Sequence, residues 1–381
     1  MLFRRQLTIL AILLSSATVT SAQAPPTNPL MEVPPVESSW TDLTEGLESK
    51  ADWEARRPAV RQAFLDLLRD QHKPQKPPLD LQIIETAEVE GIYTRKLISY
   101  AVESDERAYA YLGIPLEHTG KLPAVVALHG TFDEGGKQAA GLVDDSTKAY
   151  LDHLCRRGYV VIAPEHFVSG NRIPEKGSYD TTAFHEKHPE WTAVGKFTYE
   201  HSIAIDVLET LPEVDAARIG VLGHSLGGHG SIFLSAYDDR IKAAASNCAA
   251  PSFRHNPQVI SWSRDHWYTY FKHIRQGLER LELPPIDFHH MVALAAPRPM
   301  LQIIGLNDGV LGTQRQRVLM CLAIADLYEL IGAPENYAFF THGRGHSVPH
   351  ETRALMYAWM DTYLKPPEAT ATRLVAETPA K

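Results

Sequence analysis

From residue 124 onward, the apolar positions fall in short unbroken runs: AVVAL at 124–128, YVVIA at 159–163, RIGVL at 218–222, IKAAAS at 241–246, PMLQIIG at 299–305 and NYAFFT at 336–341. Strands read this way when both faces of their sheet are covered, as crossover helices cover a parallel sheet. The pattern predicts an α/β fold with a doubly wound, mostly parallel sheet. Upstream the signal changes. Leu81–Val89 and Tyr93–Val102 alternate or run apolar on either side of a Glu90-Gly91 turn, and Ala108–Ile114 follows, which predicts antiparallel entry strands. Before them Val60, Phe64, Leu67 and Leu68 recur at helical spacing within 52–68, so an amphipathic helix is expected to pack on the body and to stop before the turn-rich 72–78. No fixed-period repeat interrupts this order.

The two ends stand apart from the body. Residues 1–24 open with the basic MLFRR, continue with the apolar LTILAILL and close on Ala22-Gln23-Ala24, the layout of an export signal with small residues at cleavage spacing. The apolar core is shorter than the roughly 20 residues of a membrane span, and no later stretch reaches that length. Retention of the segment as an anchor is the alternative. Residues 25–78 read as a proline-rich lead-in plus the amphipathic helix, 79–364 as the catalytic domain, and 365–381 as a tail expected to fray. A chain of 381 residues, 44% hydrophobic and 22% charged, is globular, with room for one large domain or two ordinary ones. Its net charge of −9 becomes −11 if residues 1–24 are removed, which argues against nucleic acid as a partner. Cys155, Cys248 and Cys321 have no metal-type spacing and allow at most one disulfide, so they read as small buried hydrophobes.

Chemistry enters at GHSLGG, 223–228. A buried strand ends at Leu222 and a helix begins near Leu226, which places Ser225 at the tip of a strand-to-helix elbow. Large side chains at 223 or 227 would collide with the neighbouring elements, so the glycines expose the serine oxygen at the carboxyl edge of the sheet, where open α/β sheets bind ligands. A serine hydroxyl needs a base to take its proton and a carboxylate to orient that base. The order serine, acid, histidine points to Asp308, in the loop after strand 299–305; the earlier acid position reads NCAAPS and has no carboxylate. The base is expected between the last strand and the last helix, where His346 lies in the loop proper. His342 closes the strand and His350 falls in the helix. Their spacing of four suggests zinc, but Gly343, Gly345 and Pro349 keep one helix from carrying all three, and no metal is expected. The backbone N–H groups of Thr131, after strand 124–128, and of Leu226 are the expected oxyanion hole. His129, His224 and His229 are read first as groups that hydrogen-bond these loops.

The stretches DVLETLPEVDAARIGVLGHSLGG, APRPMLQIIGLND and YELIGAPENYAFFTHGRGH resemble secreted bacterial α/β-hydrolases of the dienelactone hydrolase and acetylxylan esterase type, across about Trp53 to Leu364. The resemblance implies the α/β-hydrolase fold, helical insertions over the active site and a serine esterase with no cofactor. It carries the catalytic roles to Ser225, Asp308 and His346. Two departures limit it: dienelactone hydrolases use a cysteine nucleophile, and glucuronoyl esterases have an arginine after the nucleophile, where this chain has Leu226.

Substrate information is expected in insertions. Residues 251–290 separate two core strands by more than an ordinary connection and contain Trp262, Trp267, Tyr268, Tyr270 and Phe271. The reading is an aromatic flap over the serine, with His129, Trp262 and Trp267 as candidate substrate contacts; helices packed on the body are the plainer alternative. Residues 167–196, with the adjoining His166 and with Arg172 and Trp191, form the other expected wall. The expected partner is a small-molecule or polysaccharide ester, met outside the cell or in the periplasm. A prolyl-oligopeptidase-type peptidase and a non-catalytic binding module remain the rival readings.

Overall fold

The structure is a computed structural model, and it describes residues 32–365. The expected export signal and all but the first residue of the expected tail lie outside these residues.

Among the described residues, nine strands form one sheet: β1 (Gln82–Val89), β2 (Tyr93–Glu103), β3 (Glu106–Pro115), β4 (Leu122–Leu128), β5 (Val160–Pro164), β6 (Val214–His224), β7 (Ile241–Asn247), β8 (Met300–Gly305) and β9 (Tyr337–His342). Their spatial order is β1-β2-β3-β5-β4-β6-β7-β8-β9. The first three and the β3–β5 pair are antiparallel, while β5-β4-β6-β7-β8-β9 run parallel. Every run singled out in the sequence is a strand.

The apolar runs are continuous because successive side chains enter two different cores. Ala124, Val126 and Leu128 join the cluster containing Phe197, Phe233 and Met320, on one face. Val125 and Ala127 join Leu151, Leu154 and Met360 on the other. The first face holds the helices Ala193–Thr210, Leu226–Tyr237 and Gln314–Leu330, and the second holds Tyr150–Cys155 and His350–Leu364. The amphipathic helix runs Lys50–Leu68, capped by the Ser49 hydroxyl accepting from Asp52 N–H, and buries Trp53, Val60, Phe64, Leu67 and Leu68. Cys155, Cys248 and Cys321 are buried and free. Among the described residues, no helix is long and apolar enough to cross a membrane.

β1 departs from the buried pattern. It is exposed along nearly its whole length, Ile83 and Ile84 included, because it is the sheet edge and pairs only with β2.

Candidate active site

β6 ends at His224 and the next helix begins at Leu226, leaving Ser225 alone at the bend with φ 57° and ψ −119°. A non-glycine residue there costs about 1–3 kcal/mol and persists only where its surroundings enforce it. They do so here: Ser225 N–H donates to Asn247 O at 2.9 Å, and Ser225 O accepts from His229 N–H at 2.9 Å. A Cβ on Gly227 would lie 2.2 Å from Leu128 O, and one on Gly223 would lie 2.4 Å from the Gly227 carbonyl. The glycines therefore let strand, helix and the β4 terminus meet at one point.

Asp308 follows β8 with its carboxylate fully buried. Oδ1 accepts the N–H groups of Val310 at 2.9 Å and Leu311 at 3.0 Å, and Oδ2 accepts from His346 Nδ1 at 2.9 Å. Burial alone would raise this carboxyl's pKa; the His346 bond and charge, with the two backbone donors, reverse that and hold it below the ordinary carboxylate value. Since the carboxylate only accepts, His346 donates from Nδ1 and presents Nε2 as a free base. Its side chain keeps 18% exposure, so the ring borders solvent.

Asn247 connects this pair to the elbow. Its amide nitrogen donates to Ser347 O at 3.0 Å and meets His224 Nδ1 at 2.8 Å, while the His224 and His346 rings lie 4.6 Å apart. Among the described residues no hydrogen bond joins Ser225 Oγ to His346, an arrangement common where the bond tightens only with substrate. His342 caps β9 and accepts from Arg344 N–H at 3.2 Å, and His350 is an exposed first residue of the last helix. Neither shares the Asp308 carboxylate.

After β4 the chain turns beside Ser225. Gly130 N–H is taken by Gln138 Oε1 at 3.1 Å and Phe132 N–H by Tyr179 Oη at 2.8 Å. The intervening Thr131 N–H and the Leu226 N–H have no acceptor among the described residues. Two donors flanking the elbow are thus left for a ligand oxygen.

The expected substrate contacts need revision. His129 is buried, with Nδ1 on Gly130 O at 2.6 Å and Nε2 accepting from His166 N–H at 3.0 Å; both nitrogens are committed to the loops. Trp262 is also buried, packed on His229, Tyr270 and Phe288. The insertion is therefore no loose aromatic flap: Phe253, Trp262, Tyr268, Tyr270 and Phe271 pack on one another as part of the main core that also holds Phe233 and Phe288. Trp267 stays half-buried and is the aromatic left at the rim. In the other wall, Arg172 is buried in an ion cluster with Glu106 and Glu200, and Trp191 is buried.

Two sets of donor atoms lie within 4.8 Å of one another: Asp42, His289 and His290, and Cys248, Asp308 and His346. In the first, Arg254 already neutralises Asp42 at 3.0 Å. The second is the acid–histidine pair with a thiol whose pKa burial raises to about 11, which leaves it protonated and a poor ligand. Arg317 completes the surroundings. Fully buried, with Nη1 3.9 Å from Asp308 Oδ2, it lies in the first turn of the helix Gln314–Leu330, where nothing in the sequence marks it.

A doubly wound sheet with a serine at a one-residue elbow, beside an acid–histidine pair, defines an α/β-hydrolase, and the chain is a carboxylic ester hydrolase. Residues 109–258 match the model of the dienelactone hydrolase family and constitute a domain of that family. Hydrolase YtaP of Bacillus subtilis (strain 168) is 24% identical over 296 residues, covering 75% of this chain and 95% of the relative. Carbohydrate esterase MZ0003, from an unknown prokaryotic organism, is 32% identical over 144 residues, 36% of this chain and 30% of its own length. Among solved structures, a glucuronoyl esterase from Solibacter usitatus superimposes with a TM-score of 0.66 at 16% identity, over 87% of this chain and 98% of that one. The last likeness is one of fold.

Proposed function

We propose that the chain is an exported serine esterase that removes ester-linked groups from polysaccharide, with Ser225 as nucleophile, His346 as base and Asp308 as the acid that orients it. One observation carries the reading: the Nδ1–Oδ2 contact of 2.9 Å between His346 and a fully buried Asp308, next to a strained Ser225. The carbohydrate esterase among the relatives supports the polysaccharide substrate, and the basic, then apolar, then small-residue pattern of 1–24 supports export.

In this mechanism His346 Nε2 takes the Ser225 proton as Oγ attacks the ester carbonyl. The carbonyl π pair moves onto oxygen, which receives the Thr131 and Leu226 N–H groups. Collapse of the tetrahedral intermediate expels the alcohol oxygen, protonated by His346, and leaves an acyl-serine. Water, deprotonated by the same ring, then attacks the acyl carbon; Oγ leaves with the returned proton, and the carboxylic acid departs. Asp308 stays anionic throughout and stabilises the imidazolium.

Hydrolysis of p-nitrophenyl acetate by Ser225→Ala and His346→Ala variants tests these roles, with about a thousandfold or greater loss of kcat expected in each. Turnover that survives in Ser225→Ala, or cleavage of peptides in preference to esters, would overturn the reading. Release of acetate from acetylated xylan then tests the polysaccharide.

A further inference from the structure

The cations most withdrawn from solvent in this fold are held by acids. Arg172 has Glu106 and Glu200, Lys196 has Glu103, Glu106 and Glu200, Arg254 has Asp42 and Asp287, and Arg317 has Asp308. Arg264, half-buried in the 251–290 insertion, is not so held: among the described residues no carboxylate lies within 4.0 Å of it. Its Nε donates to Ser261 O at 2.8 Å, while its two terminal nitrogens meet no acceptor there and are not sealed from solvent. The guanidinium lies over the Trp267 ring, 5.1 Å from its centroid. Burial pulls its pKa below the ordinary arginine value, and the nearby Tyr270 and Tyr268 phenols only partly offset that. A partly desolvated cation without a counter-ion favours an anionic ligand.

Both walls around Arg264 lead back to Ser225. Trp267 lies 5.8 Å from Tyr179, whose hydroxyl holds Phe132 N–H next to Thr131. On the other side, Tyr270 lies 6.4 Å from His229, which is hydrogen-bonded through its backbone to Ser225 O. We propose that Arg264, stacked on Trp267, forms a subsite for a carboxylate on the substrate, such as that of a uronate residue neighbouring the scissile ester. A planar guanidinium with its terminal N–H groups free suits a carboxylate's two oxygens, and the aromatic plane beside it suits a sugar ring. The subsite rests on the esterase reading for its role, but not for its existence.

The test is calorimetric titration of the full chain with glucuronate and with glucose, for the native protein and the Arg264→Gln and Arg264→Lys variants. p-Nitrophenyl acetate hydrolysis and thermal unfolding are followed alongside. The native chain is expected to bind glucuronate at least about tenfold more tightly than glucose, the scale of one charge-assisted hydrogen bond. That advantage should vanish in Arg264→Gln and persist in part in Arg264→Lys, whose retained charge separates recognition from a folding defect. Equal binding of the two sugars by the native chain, or an advantage that survives in Arg264→Gln, overturns the subsite. Turnover of p-nitrophenyl acetate without a glucuronate advantage removes the subsite alone; an Arg264-dependent advantage without turnover removes the esterase reading alone.

Discussion

Asp308 receives three hydrogen bonds on its two oxygens, from two backbone N–H groups on Oδ1 and from His346 on Oδ2, with the Arg317 guanidinium 3.9 Å beyond. Its charge thus faces both the His346 ring and the Arg317 guanidinium. Asp308→Asn keeps the shape and removes the charge. The expected outcome is a loss of about ten-thousandfold in kcat, as the ring is left in the wrong tautomer. A fall in stability should accompany it, since stranding one member of a buried ion pair costs about 3–5 kcal/mol. Ester turnover and thermal unfolding of the same preparation check both. A kcat within tenfold of native would mean that another group orients His346. Ser225, Asp308 and His346 were singled out in the sequence as the proposed nucleophile, acid and base, because loop position relative to strands is a sequence property. Arg317, Asn247 and Tyr179 were not: each reaches the site from an element that carries no motif, by a contact made only in three dimensions.

At the scale of elements, the elbow is where local sequence and packing constrain each other most. β6, the helix Leu226–Tyr237 and the end of β4 approach so closely that Gly227 has no room for a methyl group. Gly227→Ala is expected to destabilise the fold by about 3 kcal/mol, the upper end of overpacking costs, because the obstacle is the Leu128 backbone rather than a side chain that can rotate away. Gly343→Ala is the control. A Cβ there meets nothing within 4 Å, so its change should stay within about 0.5 kcal/mol. Denaturant midpoints of the two variants make the comparison, and equal midpoints would show that the elbow relaxes. The insertion teaches the reverse lesson. Its aromatic content was visible in the sequence, but the direction of the rings was not. Trp262 and Tyr268 face inward onto His229 and His166, and only Trp267 is left at the rim.

Across the whole molecule, several buried histidines make stability depend on pH. His129 is held at a pKa of about 4, and His201, His229 and His290 at about 3, in each case chiefly because burial disfavours the charged ring. Unfolded, these rings titrate near 6.5, so between about pH 6.5 and 4 the unfolded chain binds more protons than the folded one. Stability from the neutral rings is therefore complete above pH 6.5 and is lost as pH falls towards the folded values, by about 3–5 kcal/mol for each ring. Asp308, with its pKa depressed, adds a loss at still lower pH as its carboxylate protonates. Thermal unfolding followed from pH 8 to 4 should show a level Tm down to about 6.5 and a steep decline below it. A Tm independent of pH over that range would mean that the rings are protonated in the fold.

By itself the sequence determined the strand runs, the parallel class of the sheet, the elbow and which loops hold the serine, acid and histidine proposed as catalytic. All of these follow from the apolar period and from glycine sterics, which act between near neighbours along the chain. Tertiary structure alone decided that His129 serves the loops, that Trp262 belongs to a core, and that Arg264 is left without an acid. A residue type fixes what a side chain is able to bind; the partners that reach it come from segments far away in the chain, and their arrival depends on packing.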